Sequence, residues 1–199
     1  MKKQALIIFA KNPEPGKVKT RLAATIGNEA ALIIYNKLLH HTVSVTKYLA
    51  VDKFVFYSDH LDQDDIWNKK HYYKEIQQGN NLGQKMENAL ASTFQKGYDE
   101  IVIIGTDCPG VNAGIIMNSF SFLQSHDVAI GPAEDGGYYL LGMKEMHRNL
   151  FEGIQWSTKT VFSTTISKCV ALQLSYSVLP LLKDIDEEKD LEEFKLYQL

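Results

Sequence analysis

Four stretches of the 199-residue sequence contain residues that could bind phosphate or a metal ion. The first, residues 11–22, contains Gly16 and then three basic residues, Lys17, Lys19 and Arg21. A glycine lets the backbone approach an anion closely, and ammonium and guanidinium groups neutralise phosphate oxygens. The stretch matches neither a Walker A loop nor a GxGxxG turn. It predicts a phosphate-binding loop, and a solvated basic loop is the alternative.

The second stretch, residues 105–109, places Asp107 directly after the most apolar run of the chain. A carboxylate at the end of a buried strand is poorly solvated unless it pairs with a cation or binds a metal. Mg²⁺ commonly uses one or two carboxylates together with phosphate oxygens of a substrate. Asp107 is therefore a candidate Mg²⁺ ligand, and capping of the helix that follows Pro109 is the alternative. Its neighbour Cys108 is expected to be a packed residue and not a nucleophile.

The third stretch, residues 131–142, contains the consecutive glycines Gly136 and Gly137 directly after Asp135. Glycines in this position predict a tight turn that brings the backbone close to a ligand, followed by a strand. An ordinary Asp-Gly hairpin turn is the alternative.

The fourth stretch contains Asp184 and Asp186, which are separated by one residue. On an extended chain, residues spaced by two point the same way, so both carboxylates could face one metal ion. The alternative is that Asp186 caps a final helix, with the following glutamates near its N-terminus.

The elements that position these stretches alternate along the chain. Strands are predicted at residues 5–10, 54–57, around Ile76, and at 101–105, 128–130, 138–141 and 172–178; helices are predicted at 29–49, 82–95, 115–123 and 160–169, with a short helix opened by the acidic segment at Asp184. This alternation predicts one doubly wound α/β domain over residues 1–199, with right-handed crossovers. In such sheets, ligands bind beyond the carboxyl ends of the strands, where the loops described above lie.

Composition excludes several classes of function. The net charge of −3 without a basic face argues against a nucleic-acid partner. The two cysteines do not form a CxxC pair, which argues against a disulfide scaffold or a structural zinc site. The first apolar run is too short for a signal peptide, and no run reaches membrane-spanning length. The protein is therefore expected to stay in the cytoplasm.

Together these motifs resemble those of a known family. They occur, in order, at residues 9–22, 81–84, 105–109, 131–139, 156–158 and 184–186. The sequence resembles the DUF2064 family of GT-A-type transferases, also described as arsenosugar-biosynthesis or selenodomain-associated glycosyltransferases. It is more distantly similar to phospholactate and molybdenum-cofactor guanylyltransferases. The resemblance spans nearly the whole chain.

The resemblance implies a three-layer α/β/α sandwich of the nucleotide-diphospho-sugar transferase (GT-A) type. It assigns catalytic roles to Lys19 and Arg21, which would face the donor's phosphates, and to Asp107. It implies that Asp184 or Asp186 joins Asp107 in a site for Mg²⁺ or Mn²⁺. The residues expected to bind nucleotide or substrate are Ala10, Lys11, Gly16, Lys17, Leu82, Gly83, Thr106, Asp135, Gly136, Gly137, Trp156 and Ser157.

The implied partners are a nucleotide donor and a small-molecule acceptor, and the resemblance leaves a homodimer open. The usual family description favours sugar transfer from a nucleotide-sugar. Metal-dependent glycosyltransferases of this fold usually carry two aspartates spaced by two, whereas Pro109 stands where the second would follow Asp107. This departure and the basic first loop favour nucleotidyl transfer from a triphosphate to a phosphorylated small molecule. The sequence is also compatible with a non-catalytic nucleotide-binding module and with a structural interaction domain.

Overall fold

Seven strands form one sheet in the computed structural model, which describes residues 2–192. The strands are β1 (Gln4–Ala10), β2 (Asp52–Tyr57), β3 (Tyr73–Ile76), β4 (Glu100–Ile104), β5 (Val128–Pro132), β6 (Tyr138–Met143) and β7 (Tyr176–Val178). The helices are α1 (Thr20–Ile26), α2 (Asn28–Thr46), α3 (Leu82–Gln95), α4 (Ala113–Leu123) and α5 (Val161–Ala171), with short 3₁₀ turns at Arg148–Leu150 and Glu188–Asp190. None of the helices within residues 2–192 has the length and apolar character needed to cross a bilayer.

The strand order is β3-β2-β1-β4-β6-β5-β7. β1 is parallel to both of its neighbours, and β6 runs antiparallel to β4 and β5. Leu6, Ile7 and Ile8 of β1 are completely buried, as expected for a continuous apolar run in a strand covered on both faces. The mostly parallel sheet predicted from the sequence is confirmed.

Helices cover both faces of the sheet, which confirms the three-layer α/β/α sandwich. On one face, Leu6 and Ile8 pack in a cluster with Tyr35 of α2 and Phe120 of α4. On the other face, Ile7 packs in a cluster that includes residues of α3 and α5. Alternate residues of β1 therefore contribute to opposite cores, because successive side chains of a strand point to opposite faces.

The largest differences from the sequence-based prediction lie in three elements. Helix α1 was not predicted; it has seven residues and is anchored by the buried Leu22. β7 begins at Tyr176, four residues later than expected. The acidic segment has no regular secondary structure through Asp186, and a 3₁₀ turn begins at Glu188. The remainder of the predicted final helix, from residue 193 onward, lies outside the described residues.

Candidate functional site

The order of the strands reverses between β1 and β4, because the chain adds β2 and β3 on one side of β1 and β4 on the other. In open α/β sheets, ligands bind at such a switch point, beside the loops that follow the two strands. The loop after β1 carries Lys19, and the loop after β4 carries Asp107. The two stretches predicted to hold phosphate and metal therefore meet at the same edge of the sheet.

Lys19 is the central cation of this edge. Its backbone is left-handed, with φ 47° and ψ 45°, and its side chain is only 3% exposed. Its Nζ lies 2.5 Å from Oδ1 of Asp107 and 3.5 Å from Oδ1 of Asp186. Burial lowers the pKa of Lys19, but the nearby carboxylates outweigh this effect and raise the pKa overall. Lys19 therefore stays charged in a position that excludes most solvent.

The segment that contains Asp184 and Asp186 runs beside the loop after β4. The backbone N–H of Ile185 donates to the carbonyl oxygen of Asp107 at 3.0 Å, and the Ile185 side chain is fully buried. Oδ2 of Asp186 accepts a hydrogen bond from Nη2 of Arg21 at 2.6 Å. The sequence predicted that Asp184 and Asp186 would lie together at one site. Asp186 contacts Arg21 and Lys19, and Asp184 is close enough to Asp107 and Lys19 to interact with their charges.

The capping alternatives for these aspartates are wrong. Asn112 caps α4, its side chain accepting a hydrogen bond from the backbone N–H of Ile115. Glu187 is the N-cap of the 3₁₀ turn that follows the acidic pair, in a capping box with Asp190. Asp107 and Asp186 therefore do not cap these elements, and both face the basic residues.

Asp184 experiences the strongest electrostatic perturbation of the acidic residues here. Burial raises its pKa, the negative charge of Asp107 raises it further, and Lys19 offsets part of the effect, giving a pKa of about 7. The adjacent Cys108 is buried, and burial together with the charge of Asp184 raises the pKa of its thiol. Cys108 is thus a packed thiol, as expected from the sequence, and not an activated nucleophile.

The acidic residues of the cluster are the candidate ligands for the Mg²⁺ ion that the fold family implies. Within residues 2–192, no three or more His, Cys, Asp or Glu side chains are placed to enclose a metal ion on their own. Mg²⁺, however, commonly takes one or two carboxylates and completes its shell with water and phosphate oxygens. Asp107 and Asp184 fit that requirement, because their mutual repulsion is what an added cation would relieve. Asp186 fits less well because it pairs with two cations, Arg21 at 2.6 Å and Lys19 at 3.5 Å, whereas Asp107, among the described residues, pairs with Lys19 alone.

The turn between β5 and β6 lies at the same edge. Gly136 has φ +88°, and a Cβ there would lie 2.1 Å from the backbone oxygen of Lys159. Its carbonyl oxygen accepts a hydrogen bond from the N–H of Phe162 at 2.9 Å. Gly136 therefore makes a close approach that a Cβ would obstruct, to the backbone of Lys159, whereas the approach to a ligand stays a prediction. Gly137 differs: its φ lies outside the left-handed region, and an added Cβ would meet only the side chain of Asp135, at 3.1 Å.

Asp135 connects this turn to the charged cluster. Its Oδ1 accepts a hydrogen bond from the N–H of Gly137 at 2.8 Å, which closes the turn. Its negative charge also contributes to the raised pKa of Asp184. The sequence left two alternatives for this stretch, an ordinary hairpin turn and a turn close to a ligand. The structure has a hairpin turn that lies beside the acidic residues, so the two alternatives do not exclude each other.

Trp156 packs over the start of α3. A Cβ on Gly83 would lie 2.2 Å from Nε1 of Trp156, so only glycine allows this packing. The indole stacks on Phe151, with ring centroids 6.4 Å apart, and meets Tyr138 edge to face at 6.5 Å. Beside it, Leu82 is exposed and Ser157 has a positive φ of 63°. The loop before α5 is thereby held against both α3 and the Gly136 turn.

The remaining predicted residues lie along the loop after β1. The carbonyl oxygen of Ala10 accepts a hydrogen bond from the N–H of Ser58 at 3.0 Å. Gly16 has φ +76°, the left-handed conformation that favours glycine. Lys17 is exposed and pairs with Glu14 at 2.8 Å instead of joining the aspartates. The side chain of Lys11 is exposed, and its backbone contacts Tyr35.

Tyr35 and Asn12 are two buried polar residues that the sequence did not indicate. Tyr35 of α2 reaches Thr106, with Oη and Oγ1 3.3 Å apart. Asn12 binds the loop after β2: its Oδ1 accepts from the N–H of Asp59 at 3.1 Å, and its Nδ2 donates to the oxygen of His60 at 3.0 Å. Neither residue type carries a sequence signal for these contacts, which depend on how distant elements pack.

A cavity of about 400 Å³ lies elsewhere, between α3 and the edge of the sheet at β3. Its lining includes Phe56, Ile76 and Asn88, and it shares no residue with the cluster around Lys19. The candidate site is therefore the open polar region beyond β1 and β4 and not this cavity.

Comparison with known proteins identifies the family and the fold of the chain. Residues 42–158 match the model of a family described as an uncharacterized protein conserved in bacteria (DUF2064). A crystal structure from Desulfovibrio desulfuricans G20, provisionally named a nucleotide-diphospho-sugar transferase, is 33% identical and has a TM-score of 0.85, over 94% of this chain and 84% of that chain. Among curated proteins, none matches the sequence.

More distant structures share the fold. A 4-diphosphocytidyl-2C-methyl-D-erythritol synthase from Anaerococcus prevotii DSM 20548 is 10% identical with a TM-score of 0.65, over 99% of this chain and 96% of that one. The inositol-1-phosphate CTP transferase from T. maritima is 12% identical with a TM-score of 0.53, over 100% and 95% of the two chains. The protein belongs to the DUF2064 family and has the fold of the nucleotide-diphospho-sugar transferases.

Proposed function

We propose that this protein is a Mg²⁺-dependent nucleotidyltransferase, which transfers a nucleotidyl group from a nucleoside triphosphate to a phosphorylated small molecule. The observation that carries the proposal is the position of Lys19. Its buried ammonium lies at the switch point of the sheet, in contact with Asp107 and Asp186. Nucleotide phosphates bind at such switch points, where a buried cation can neutralise them at low cost in solvation.

The residues of the chain would act mainly by positioning and charge. Lys19 and Arg21 would bind the phosphate chain and stabilise the pyrophosphate that leaves. An oxygen of the acceptor's phosphate would attack the α-phosphorus, and the bond from the α-phosphorus to the bridging oxygen would break. Mg²⁺ held by Asp107 and Asp184 would supply further neutralisation of the phosphate oxygens.

Glycosyl transfer is the second candidate. It is favoured by the Desulfovibrio structure, which is 33% identical and is provisionally named a nucleotide-diphospho-sugar transferase. Two observations favour the nucleotidyl reaction instead. The first is that the stretch around Asp107 contains one aspartate, with Pro109 where metal-dependent glycosyltransferases of this fold usually have a second. The second is that two basic side chains, Lys19 and Arg21, lie at the site, which suits the high negative charge of a triphosphate. The distant structures named above include a CTP transferase of the same fold.

A non-catalytic nucleotide-binding module is the third candidate. Such a module needs a phosphate-binding loop, but it gains little from a half-buried carboxyl group beside a second carboxylate. Asp184, with its pKa raised to about 7, is energetically costly when ionised next to Asp107. A metal-dependent reaction accounts for this arrangement better than simple binding does.

The test begins with a thermal-shift panel of ATP, GTP, CTP, UTP and common nucleotide-sugars, each with and without Mg²⁺. A ligand that binds only the folded state raises the melting temperature. Stabilisation by a triphosphate that depends on Mg²⁺, followed by release of pyrophosphate with phosphorylated acceptors, would support the proposal. Release of a nucleoside diphosphate from a nucleotide-sugar, without pyrophosphate from any triphosphate, would establish glycosyl transfer instead.

A further inference from the structure

The hydroxyl of Tyr35 joins the two loops that carry the candidate site. Tyr35 lies on α2 and is 2% exposed. Its oxygen accepts a hydrogen bond from the N–H of Lys11 at 2.8 Å, and the hydroxyl lies 3.2 Å from the carbonyl oxygen of the same residue. Oγ1 of Thr106 lies 3.3 Å away. One buried hydroxyl therefore contacts the first residue after β1 and the residue that precedes Asp107.

The electrostatic surroundings keep this hydroxyl neutral. Burial raises the pKa of Tyr35, and the negative charge of Asp107 raises it further. A neutral hydroxyl both donates and accepts, so it can serve the two loops at once. Leaving a buried hydrogen-bonding group without a partner costs free energy. Separation of the two loops from Tyr35 is therefore unfavourable.

The position of this junction gives it a role at the site. Lys11 begins the loop that ends at Lys19, and Thr106 is adjacent to Asp107 in the chain. The 2.5 Å contact between Lys19 and Asp107 therefore depends on how these two loops are placed relative to each other. Tyr35 lies beneath both and is too buried to contact a ligand at the surface.

We propose that Tyr35 is a positioning residue, which fixes the loop after β1 against the loop after β4 through Lys11 and Thr106. Its importance for nucleotide binding rests on the proposed function, whereas its coupling of the two loops does not. Removal of the hydroxyl loosens both loops together and weakens the binding of phosphates between them. The aromatic ring, which packs in the core, is not the part that carries this role.

Tyr35→Phe tests the proposal because it removes only the hydroxyl. Tyr72→Phe is a matched control: Tyr72 is buried, belongs to the same core cluster, and its hydroxyl lies 2.9 Å from Oγ1 of Thr46 on α2. Each variant loses a buried hydroxyl that forms hydrogen bonds to or from α2, so a purely structural effect should be similar in the two. They differ in whether the lost contacts reach the candidate site.

The first measurement is hydrogen–deuterium exchange of the wild type and both variants without ligand. Loss of the hydrogen bonds of this hydroxyl predicts about fivefold or more faster exchange in peptides that cover residues 11–19 and 105–109 of Tyr35→Phe, with these peptides unchanged in Tyr72→Phe. The proposal is overturned if exchange in these peptides is unchanged in Tyr35→Phe, or rises equally in both variants. This measurement does not depend on the proposed function.

The second measurement is calorimetric titration with Mg²⁺ and inorganic tripolyphosphate, a probe that shares the phosphate chain of all nucleoside triphosphates. The dissociation constant should rise about fivefold or more in Tyr35→Phe and stay at the wild-type value in Tyr72→Phe. Equal affinity in all three proteins, despite faster exchange in the loops, would overturn the positioning role. If the wild type does not bind the probe, the proposed function is contradicted, and the exchange measurement alone decides whether Tyr35 couples the loops.

Discussion

The ammonium of Lys19 lies 2.5 Å from a carboxylate oxygen of Asp107, although the two residues are far apart in the sequence. The contact joins the loop after β1 to the loop after β4 across the switch point of the sheet. The cation that the proposed function assigns to the donor's phosphates is therefore also an ion-pair partner of the proposed metal ligand, so a change at either residue should affect both roles.

Lys19→Met should destabilise the protein because it leaves the neighbouring carboxylates without their buried cation. Asp107 is 46% exposed, so water compensates part of the loss. We expect the free energy of unfolding to fall by about 1–3 kcal/mol, less than for a fully buried pair. Urea unfolding measures the change. Lys17→Met is the control, since Lys17 forms an exposed pair with Glu14, and its loss should leave stability almost unchanged. Equal stability of the two variants would contradict the importance of the buried pair.

Asp184 predicts a specific dependence of stability on pH in the absence of divalent cations. Its pKa in the folded protein is raised from 3.8 to about 7, so between these values the folded state holds a proton that the unfolded state has released. The contribution of this group is therefore most favourable below pH 4 and is lost as the pH rises towards and through 7. Asn at position 184 cannot ionise, so Asp184→Asn does not lose this stability. The free energy of unfolding of the variant should therefore increase relative to that of the wild type as the pH rises from about 4 to about 7. Urea unfolding at several pH values measures it, and parallel stability curves for the two proteins would count against the raised pKa.

Gly136→Ala should disrupt the turn beside the acidic residues. The added Cβ would meet the backbone of Lys159, which cannot move aside as a side chain can, and φ would remain at +88°. We expect a loss of about 2 kcal/mol or more in the free energy of unfolding, from left-handed strain together with the clash. Gly153→Ala is the matched control: its φ is +64°, but nothing lies within 4 Å of the new Cβ, so only the strain applies. A loss no larger than that of the control would show that the close approach is unimportant.

Several elements of the fold were predicted correctly from the sequence. The apolar run of β1 indicated a strand buried on both faces, and the helix predicted at residues 82–95 coincides with α3. The structure adds that Asn81 caps this helix, its side chain accepting a hydrogen bond from the N–H of Gln84. Helix α1 could not be predicted, because it has seven residues, begins after a left-handed Lys19 and lacks a side-chain cap. Its stability comes from burial of Leu22 in a cluster with residues of α2 and with the distant Ile185.

The candidate site was predictable only in part for the same reason. Strand ends indicated that the loops carrying Lys19 and Asp107 would share an edge, and the family resemblance implied that Asp184 or Asp186 joins Asp107. The sequence did not indicate that Lys17 would turn to Glu14, because that pairing depends on the conformation of the loop. It also gave no sign of Tyr35, since a contact from a helix to two strand ends is set by tertiary packing.

Arg21→Ala should weaken the binding of a nucleoside triphosphate. Arg21 reaches Asp186 at the edge of the cluster, and its side chain is 65% exposed and available to a ligand. Loss of a charge-assisted hydrogen bond predicts about 1–3 kcal/mol less binding free energy, measured by calorimetry with Mg²⁺ present. Arg148→Ala is the control, because Arg148 forms a pair of the same 2.6 Å length with Glu87 outside the site. Matching affinities for the two variants would exclude Arg21 from the site.

The proposed metal-dependent binding of nucleotide is tested by calorimetric titration of the stabilising nucleoside triphosphate into the wild type and Asp107→Asn, with and without Mg²⁺. Asp64→Asn, which changes an exposed aspartate outside the cluster, is the control. We predict that the wild type and Asp64→Asn bind more tightly when Mg²⁺ is added, and that Asp107→Asn loses this dependence while remaining folded. Equal affinity and equal dependence on Mg²⁺ in all three proteins would contradict a metal site at Asp107.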